Sequence, residues 1–284
     1  MAEMNEPTTE TKQNEIDKRP PRLPLKAPAW TMWISIPIII IGALYLYVFF
    51  TQFWPHLPRF AGTYRIEVRT NPIDGAAVVY VPGGEFAIGS EFSPGDKNPV
   101  HAVYLDTYWI YQTEVTNYMY ALCVAAGDCN APDSDHYGNE NYANYPVVNV
   151  SIEDARNYCT WAEGDLPTRA EWEKAARGTD GRTYPWGEGL STTLANLDAD
   201  PVAVGRYPKG SSPYGALDMA GNVTEWVLSA RYGIAIENWP DKTSPVGFWD
   251  NSIDTLHIAS RTTDSSPFLK GDHVGFRCVL LTAP

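Results

Sequence analysis

Between Lys26 and Arg59 the chain contains no Asp, Glu, Lys or Arg. Cysteine is scarce as well, with four among 284 residues and no Cys-x-x-Cys pair. The five His residues (His56, His101, His136, His257 and His273) are scattered without ligand-like spacing, which argues against a zinc site. Basic residues are outnumbered, 21 Lys and Arg against 34 Asp and Glu, for a net charge of -13. A phosphate-binding surface needs clustered Lys and Arg, so nucleic acid is excluded as a partner. There is no internal repeat and no low-complexity block. A hydrophobic fraction of 44% is enough for a real core and excludes wholesale disorder.

The charge-free window holds WTMWISIPIIIIGALYLYVFFTQFW, residues 30–54. It supplies the ~20 apolar residues that a membrane-spanning helix needs. Trp30 and Trp33 at one end, and Phe53 and Trp54 at the other, resemble interfacial belts, and Pro37 is tolerated near the start of such a helix. The run is too long for a signal-peptide core, no small-x-small cleavage site follows it, and a polar tail precedes it. The expected organisation is a polar, Pro-rich tail at 1–29, a transmembrane helix at 30–54, a connector at 55–75 with some strand character in TYRIEVRT, and a folded domain at 76–284. Lys18, Arg19, Arg22 and Lys26 precede the span. They predict a cytoplasmic N-terminus and a periplasmic domain on a bacterial inner membrane. All four cysteines lie beyond the span, an even number suited to disulfides in an oxidising compartment. Cys123 and Cys129 can close a small loop, which leaves Cys159 and Cys278 to pair over a long one.

Within the domain, AVVYVPGGEFAIGS reads as two strands around a Pro-Gly-Gly turn, and VHAVYLDTYWIYQTEVT alternates in the same way. Three short helices follow. One is capped by Thr116 and stopped by Gly127. The next carries a Ser151/Asp154 capping box with Gly164 as stop, and the third a Thr168/Glu171 box with Gly178 as stop. Glu163, Glu171 and Glu173 read as helix-surface or capping charges, and Trp161, Trp172, Trp186 and Trp226 as core. HVGFRCVLL is a final strand. Short helices in irregular, Trp-rich loops, with an antiparallel sheet using both ends of the domain, describe an α+β fold.

Six segments occur in order: VPGGEFAIGS, YWIYQTEVTNYMY, PVVNVSIEDARNYCTWAEGDLPTRAEWEKAARG, YPWG, GRYPKGSSPYGALDMAGNVTEW and GFRC. Together they resemble the formylglycine-generating enzyme (sulfatase-modifying factor) family over roughly residues 76–280. The resemblance implies a C-type-lectin-like fold with much irregular structure and bound calcium. It also implies an enzyme that oxidises a client cysteine with O2 and a copper ion held by two cysteines. Cys159 and Cys278 match a family disulfide. Ala220, Gly221, Val223 and Glu225 fall where the family binds calcium, through carbonyls and one carboxylate. Thr224 stands where the family carries Trp. Asn196 and Leu197 resemble the start of a second calcium site, whose downstream Asp-x-aromatic partner is missing; Asp198 or Asp200 would have to substitute.

The copper chemistry is missing at a definite place. The segment before GFRC contains no cysteine, and Val246, Gly247 and Phe248 replace the family's Gly-Gly-Ser. Asn251 and Leu256 stand where the thiolates would be, and neither binds copper(I), which takes soft sulfur ligands. His257 alone does not replace two thiolates, and Ser252, Asp254 and His257 lack a nucleophile elbow. The expected function is therefore that of a catalytically inactive accessory subunit, docked on the periplasmic side of a larger membrane complex such as a respiratory or photosynthetic one. Its span would pack through Gly42 and Ala43. A basic soluble partner is a weaker expectation from the acidic surface. The alternatives are a periplasmic maturation enzyme with a non-copper mechanism, or a calcium-dependent ligand-binding module using Trp239 or Trp249.

Overall fold

A computed structural model describes residues 47, 65–89, 100–198, 200–228, 244–246 and 271–284. The chain divides at Pro58 into two units, and all that follows concerns the second. The tail, the span at 30–54, and Trp239, Trp249, Asn251, Ser252, Asp254, Leu256 and His257 lie outside the described residues. Among the described residues no helix is long and apolar enough to cross a membrane.

The elements run β1 (Val68–Thr70), β2 (Ala77–Val81), β3 (Gly84–Ile88), β4 (His101–Leu105), β5 (Tyr108–Tyr111), α1 (Asn117–Ala126), α2 (Ile152–Trp161), α3 (Arg169–Arg177), β6 (Thr224–Val227), β7 (Ser244–Val246), β8 (Val274–Gly275) and β9 (Val279–Leu280). A four-stranded sheet has the order β1-β2-β5-β9 and is antiparallel throughout. Val78, Trp109 and Tyr111 join one apolar cluster with Tyr120 of α1 and Tyr158 of α2. Val79, Val81 and Ile110 join a second, with Trp172, Ala175 and Ala176 of α3. Because residues alternate across a strand, these sets are opposite faces of one sheet. The sheet is therefore the centre of the domain, covered on both sides.

Two expectations are corrected here. The Pro-Gly-Gly turn does not close a hairpin between β2 and β3. β3 pairs with β4 in a separate two-stranded sheet, and β2 pairs instead with β5. The chain leaves the central sheet after Val81, makes the β3–β4 hairpin, and returns at Tyr108. β1 lies in the part of the 55–75 connector whose sequence has strand character; it pairs with β2, so the folded sheet begins before residue 76. The final strand also splits. β8 runs parallel to β6, and β9 joins β5.

The three helices start where the sequence places them. Thr116 caps α1 by accepting from Met119 N, while Ser151/Asp154 and Thr168/Glu171 form reciprocal capping boxes. α2 ends at Trp161, before Gly164. Gly164 still takes part in the stop, since its N donates to the Cys159 carbonyl at 2.7 Å, and a Cβ on it would also collide with the Val279 carbonyl oxygen of β9.

Every residue of α3 is buried, charged ones included. The reading of Glu173 as a surface charge fails because the β3–β4 hairpin lies over the helix. Glu173 Oε1 accepts from Gly89 N at 2.8 Å and from Arg177 Nη1 at 2.7 Å. Of the four tryptophans expected in the core, Trp172 and Trp226 are fully buried, whereas Trp161 and Trp186 are half-buried.

Lys174 is also buried, with Nζ donating to the Gly84 carbonyl at 2.9 Å. Burial lowers its pKa from 10.5 to about 8. Between those two pH values the unfolded chain binds the proton and the folded chain does not, so this group makes stability rise with pH. Lys174→Met is expected to raise stability at pH 7 by about 1–2 kcal/mol and to flatten that rise. Urea melts at pH 7 and pH 9 check both effects; a destabilised variant with an unchanged pH slope would refute them.

Candidate functional site

The terminal segment HVGFRC threads the centre of the domain. Cys278 is bonded to Cys159 of α2, and Cys123 to Cys129, so all four cysteines are paired as the sequence led us to expect. The preceding residue, Arg277, is fully buried and spends all five N–H donors. Nε and Nη2 bind Glu225 Oε2 and Oε1 at 2.8 and 2.7 Å. Nη1 donates to the carbonyls of Tyr111 and Gln112 at 3.1 Å each, and Nη2 also donates to the Leu217 carbonyl at 3.0 Å. Trp172 Nε1 gives the Glu225 carboxylate its third donor, to Oε2 at 2.9 Å. Glu225 thus ties β6, α3 and the C-terminal segment together.

Two further carboxyls sit beside this pair. Glu114 is fully buried; Asn222 Nδ2 donates to its Oε1 at 3.0 Å, and no donor among the described residues reaches Oε2. Burial pushes its pKa well above the carboxylate range. The charges of Asp218 and Glu225 push the same way, while Arg277 opposes them. Burial raises Asp218 as well, although Gly205 N donates to its Oδ2 at 2.6 Å.

The structure brings the two expected calcium segments into contact. Asn222 N donates to the Asn196 carbonyl at 3.0 Å, and Asn196 Nδ2 to Asn222 Oδ1 at 3.2 Å. Gly221 has φ +84, and a Cβ on it would lie 2.1 Å from the Asn196 carbonyl oxygen. Ala220, Gly221, Val223 and Glu225 therefore form a tight buried turn against Asn196, with Leu197 beside it.

The donor set does not fit a calcium ion as expected. Both Glu225 oxygens are held by a permanently charged guanidinium that would repel a second cation. Asp198 N donates to Asn196 Oδ1 at 3.3 Å, while the Asp200 carbonyl accepts from Asn196 Nδ2. Among the described residues no group of three or more His, Cys, Asp or Glu is arranged to hold a metal. Asn222, in an Asn-Val-Thr acceptor sequence, is buried and used within this network, so its role is structural.

Beside the terminal segment lies an open cleft of about 650 Å³, lined by Asp133, Asp135, His136, Asn149, Asp200, Asp272 and His273 among others. Sequence reasoning treated the His residues as unrelated, yet two of them share this cleft. The His136 ring stacks on Tyr142 at 3.8 Å, and His273 Nδ1 lies 2.8 Å from Asp272 Oδ1. Asp272 and His273 stand just after the segment that carries Asn251 and Leu256. The only sequence signal for the cleft is the density of Asp in three separate loops, and spacing cannot show that those loops converge.

Comparison with known proteins agrees with this architecture. The chain is 30% identical over 259 residues to the serine/threonine-protein kinase pkn1 of Chlamydia caviae, covering 79% of this chain and 41% of that one. It is 36% identical over 157 residues to the bovine (Bos taurus) inactive C-alpha-formylglycine-generating enzyme 2, covering 47% and 50% respectively. The chain thus spans only about two fifths to one half of the length of these curated relatives. Among solved structures, PvdO from Pseudomonas aeruginosa superposes with a TM-score of 0.61 at 24% identity, over 76% of this chain and 98% of that one. The sulfatase-modifying factor enzyme 1-like domain matches residues 65–281, and this chain belongs to that family.

Proposed function

We propose that this chain keeps the frame of its family without the copper oxidation, and serves as a membrane-anchored accessory subunit whose outer domain docks on a larger membrane complex. The observation that carries this reading is the fate of the cysteines. All four are consumed in two disulfides. No thiolate is left to bind copper(I) or to capture a client cysteine by exchange. The relative named as inactive supports the idea that this frame persists where the chemistry does not. The uncharged run at residues 30–54 supports the anchor. In this reading the Glu225–Arg277 pair, rather than calcium, holds the turn at residues 220–225.

The test is extraction from the native membrane in mild detergent, followed by native electrophoresis and mass spectrometry of the band. The chain is expected to migrate with a defined set of other subunits. Migration alone at its own size would overturn the accessory role. Oxidation of a cysteine-containing client peptide in the presence of copper would overturn the inactive assignment.

A further inference from the structure

We infer that the free edge of the central sheet is a self-association surface, on which β1 pairs antiparallel with β1 of a second copy of this chain. Among the described residues β1 is an edge strand, bonded to β2 on one side only. The stretch from Arg65 to Thr70 is exposed on both faces, including Ile66 at 52% and Val68 at 49%. Exposed edges of this kind are usually blocked by proline, lysine or a bulge. The stretch from Arg65 to Thr70 contains no proline, and its charges, Arg65, Glu67 and Arg69, are of both signs, so they can pair across a two-fold axis instead of repelling a second copy.

The backbone determines which groups are available. The Glu67 carbonyl accepts from Tyr80 N at 3.1 Å, and Asn71 N donates to the Ala76 carbonyl at 2.8 Å. The odd-numbered residues therefore turn their peptide groups toward β2. By the alternation of an antiparallel ladder, Ile66, Val68 and Thr70 turn theirs to the open side. No partner among the described residues is recorded on those groups.

One two-fold register pairs Ile66, Val68 and Thr70 of each copy with one another, and its side chains are complementary. Centring a two-fold pair on Glu67 sets Glu67 against itself and Arg65 against Arg69. Centring it on Arg69 sets that arginine against itself. Centring it on Val68 sets Val68 against Val68, Ile66 against Thr70, and Glu67 of each copy against Arg69 of the other. That register offers about six main-chain hydrogen bonds, two opposite-charge cross-strand pairs and an apolar centre. It is also self-complementary, as a two-fold interface must be. Within one chain Arg69 Nη2 already lies 2.9 Å from Glu67 Oε1, both half-exposed. Arg69 also lies over the Trp109 ring, 4.7 Å from its centroid, so exchanging the pair for two intermolecular ones takes side-chain rotation and gives up part of that contact. The interface is small, so the association is weak in dilute solution.

The experiment uses the full chain in mild detergent, with mass measured by sedimentation across a concentration series. The unmodified chain is expected to reach a dimer. Glu67→Arg or Arg69→Glu alone would each place like charges opposite each other twice, weakening the dimer about tenfold. The double variant Glu67→Arg/Arg69→Glu would restore it to within about threefold. In addition, Val68→Cys is expected to give a disulfide-linked homodimer. Thermal melts verify that each variant is folded. A monomer at every concentration up to about 1 mM would overturn the inference. So would a dimer indifferent to the single reversals, which would place the contact elsewhere, for instance in residues 30–54. Capture of a different protein at Val68→Cys in place of a second copy would overturn it too.

Discussion

Arg277→Met is expected to cost about 3–5 kcal/mol, enough to leave much of the domain unfolded at 37 °C, because it strands a buried carboxylate. Glu225 has no solvent access and depends on Arg277 for two of its three donors. Glu114 and Asp218 are close enough to feel the same lost charge, since Arg277 opposes the burial of both carboxyls. The loss also frees the carbonyls of Tyr111, Gln112 and Leu217, which join β5 to the loop before β6. Arg277→Lys should recover only part of the stability, because a point charge cannot serve five acceptor positions in a fixed fork. The double variant Arg277→Met/Glu225→Gln should be more stable than Arg277→Met alone, since it removes the orphaned charge. Urea melts followed by fluorescence of the ten tryptophans measure this series. Equal stability of Arg277→Met and the unmodified chain would show that the cluster is not held by this pair.

Removal of the long disulfide, as Cys159→Ala/Cys278→Ala, is expected to cost about 4–5 kcal/mol by the chain-entropy estimate. The two cysteines are 119 residues apart, so in the unfolded chain the bridge closes a long loop. Both are fully buried in the cluster that joins α2 to the terminal segment, so the alanines also leave unfilled space there. Cys123 and Cys129 are only six residues apart in sequence, so Cys123→Ala/Cys129→Ala removes a much shorter loop constraint and should cost clearly less. Comparing the two double variants under non-reducing conditions tests the ordering. If the short-loop variant proved the less stable, loop entropy would not be what distinguishes the two bridges.

Sequence and structure agree where the deciding interaction is local. The caps at Thr116, Ser151 and Thr168 each bond a backbone N–H three residues on, so the spacing in the sequence already contains the contact. The disulfide arithmetic worked for a related reason: four cysteines allow few pairings, and one pair is close in sequence. The hairpin at Pro-Gly-Gly failed because turn chemistry reports a change of direction, not which strand becomes the neighbour. Glu173 was misjudged because helix periodicity shows which face is polar and cannot show that a hairpin will lie over it. The cleft with His136 and His273 was invisible because its walls come from loops more than 130 residues apart.

By itself, then, the sequence determined the family, the helix starts, the cysteine pairing and the loss of thiolates from the segment before GFRC. All of these depend on residue identity or on contacts within one turn of chain. Only the tertiary structure decided that Glu225 answers to Arg277, that β2 pairs with β5, and that β1 pairs among the described residues with β2 alone. Those outcomes depend on which distant segments close on one another, and a linear pattern of residue types carries no record of that choice.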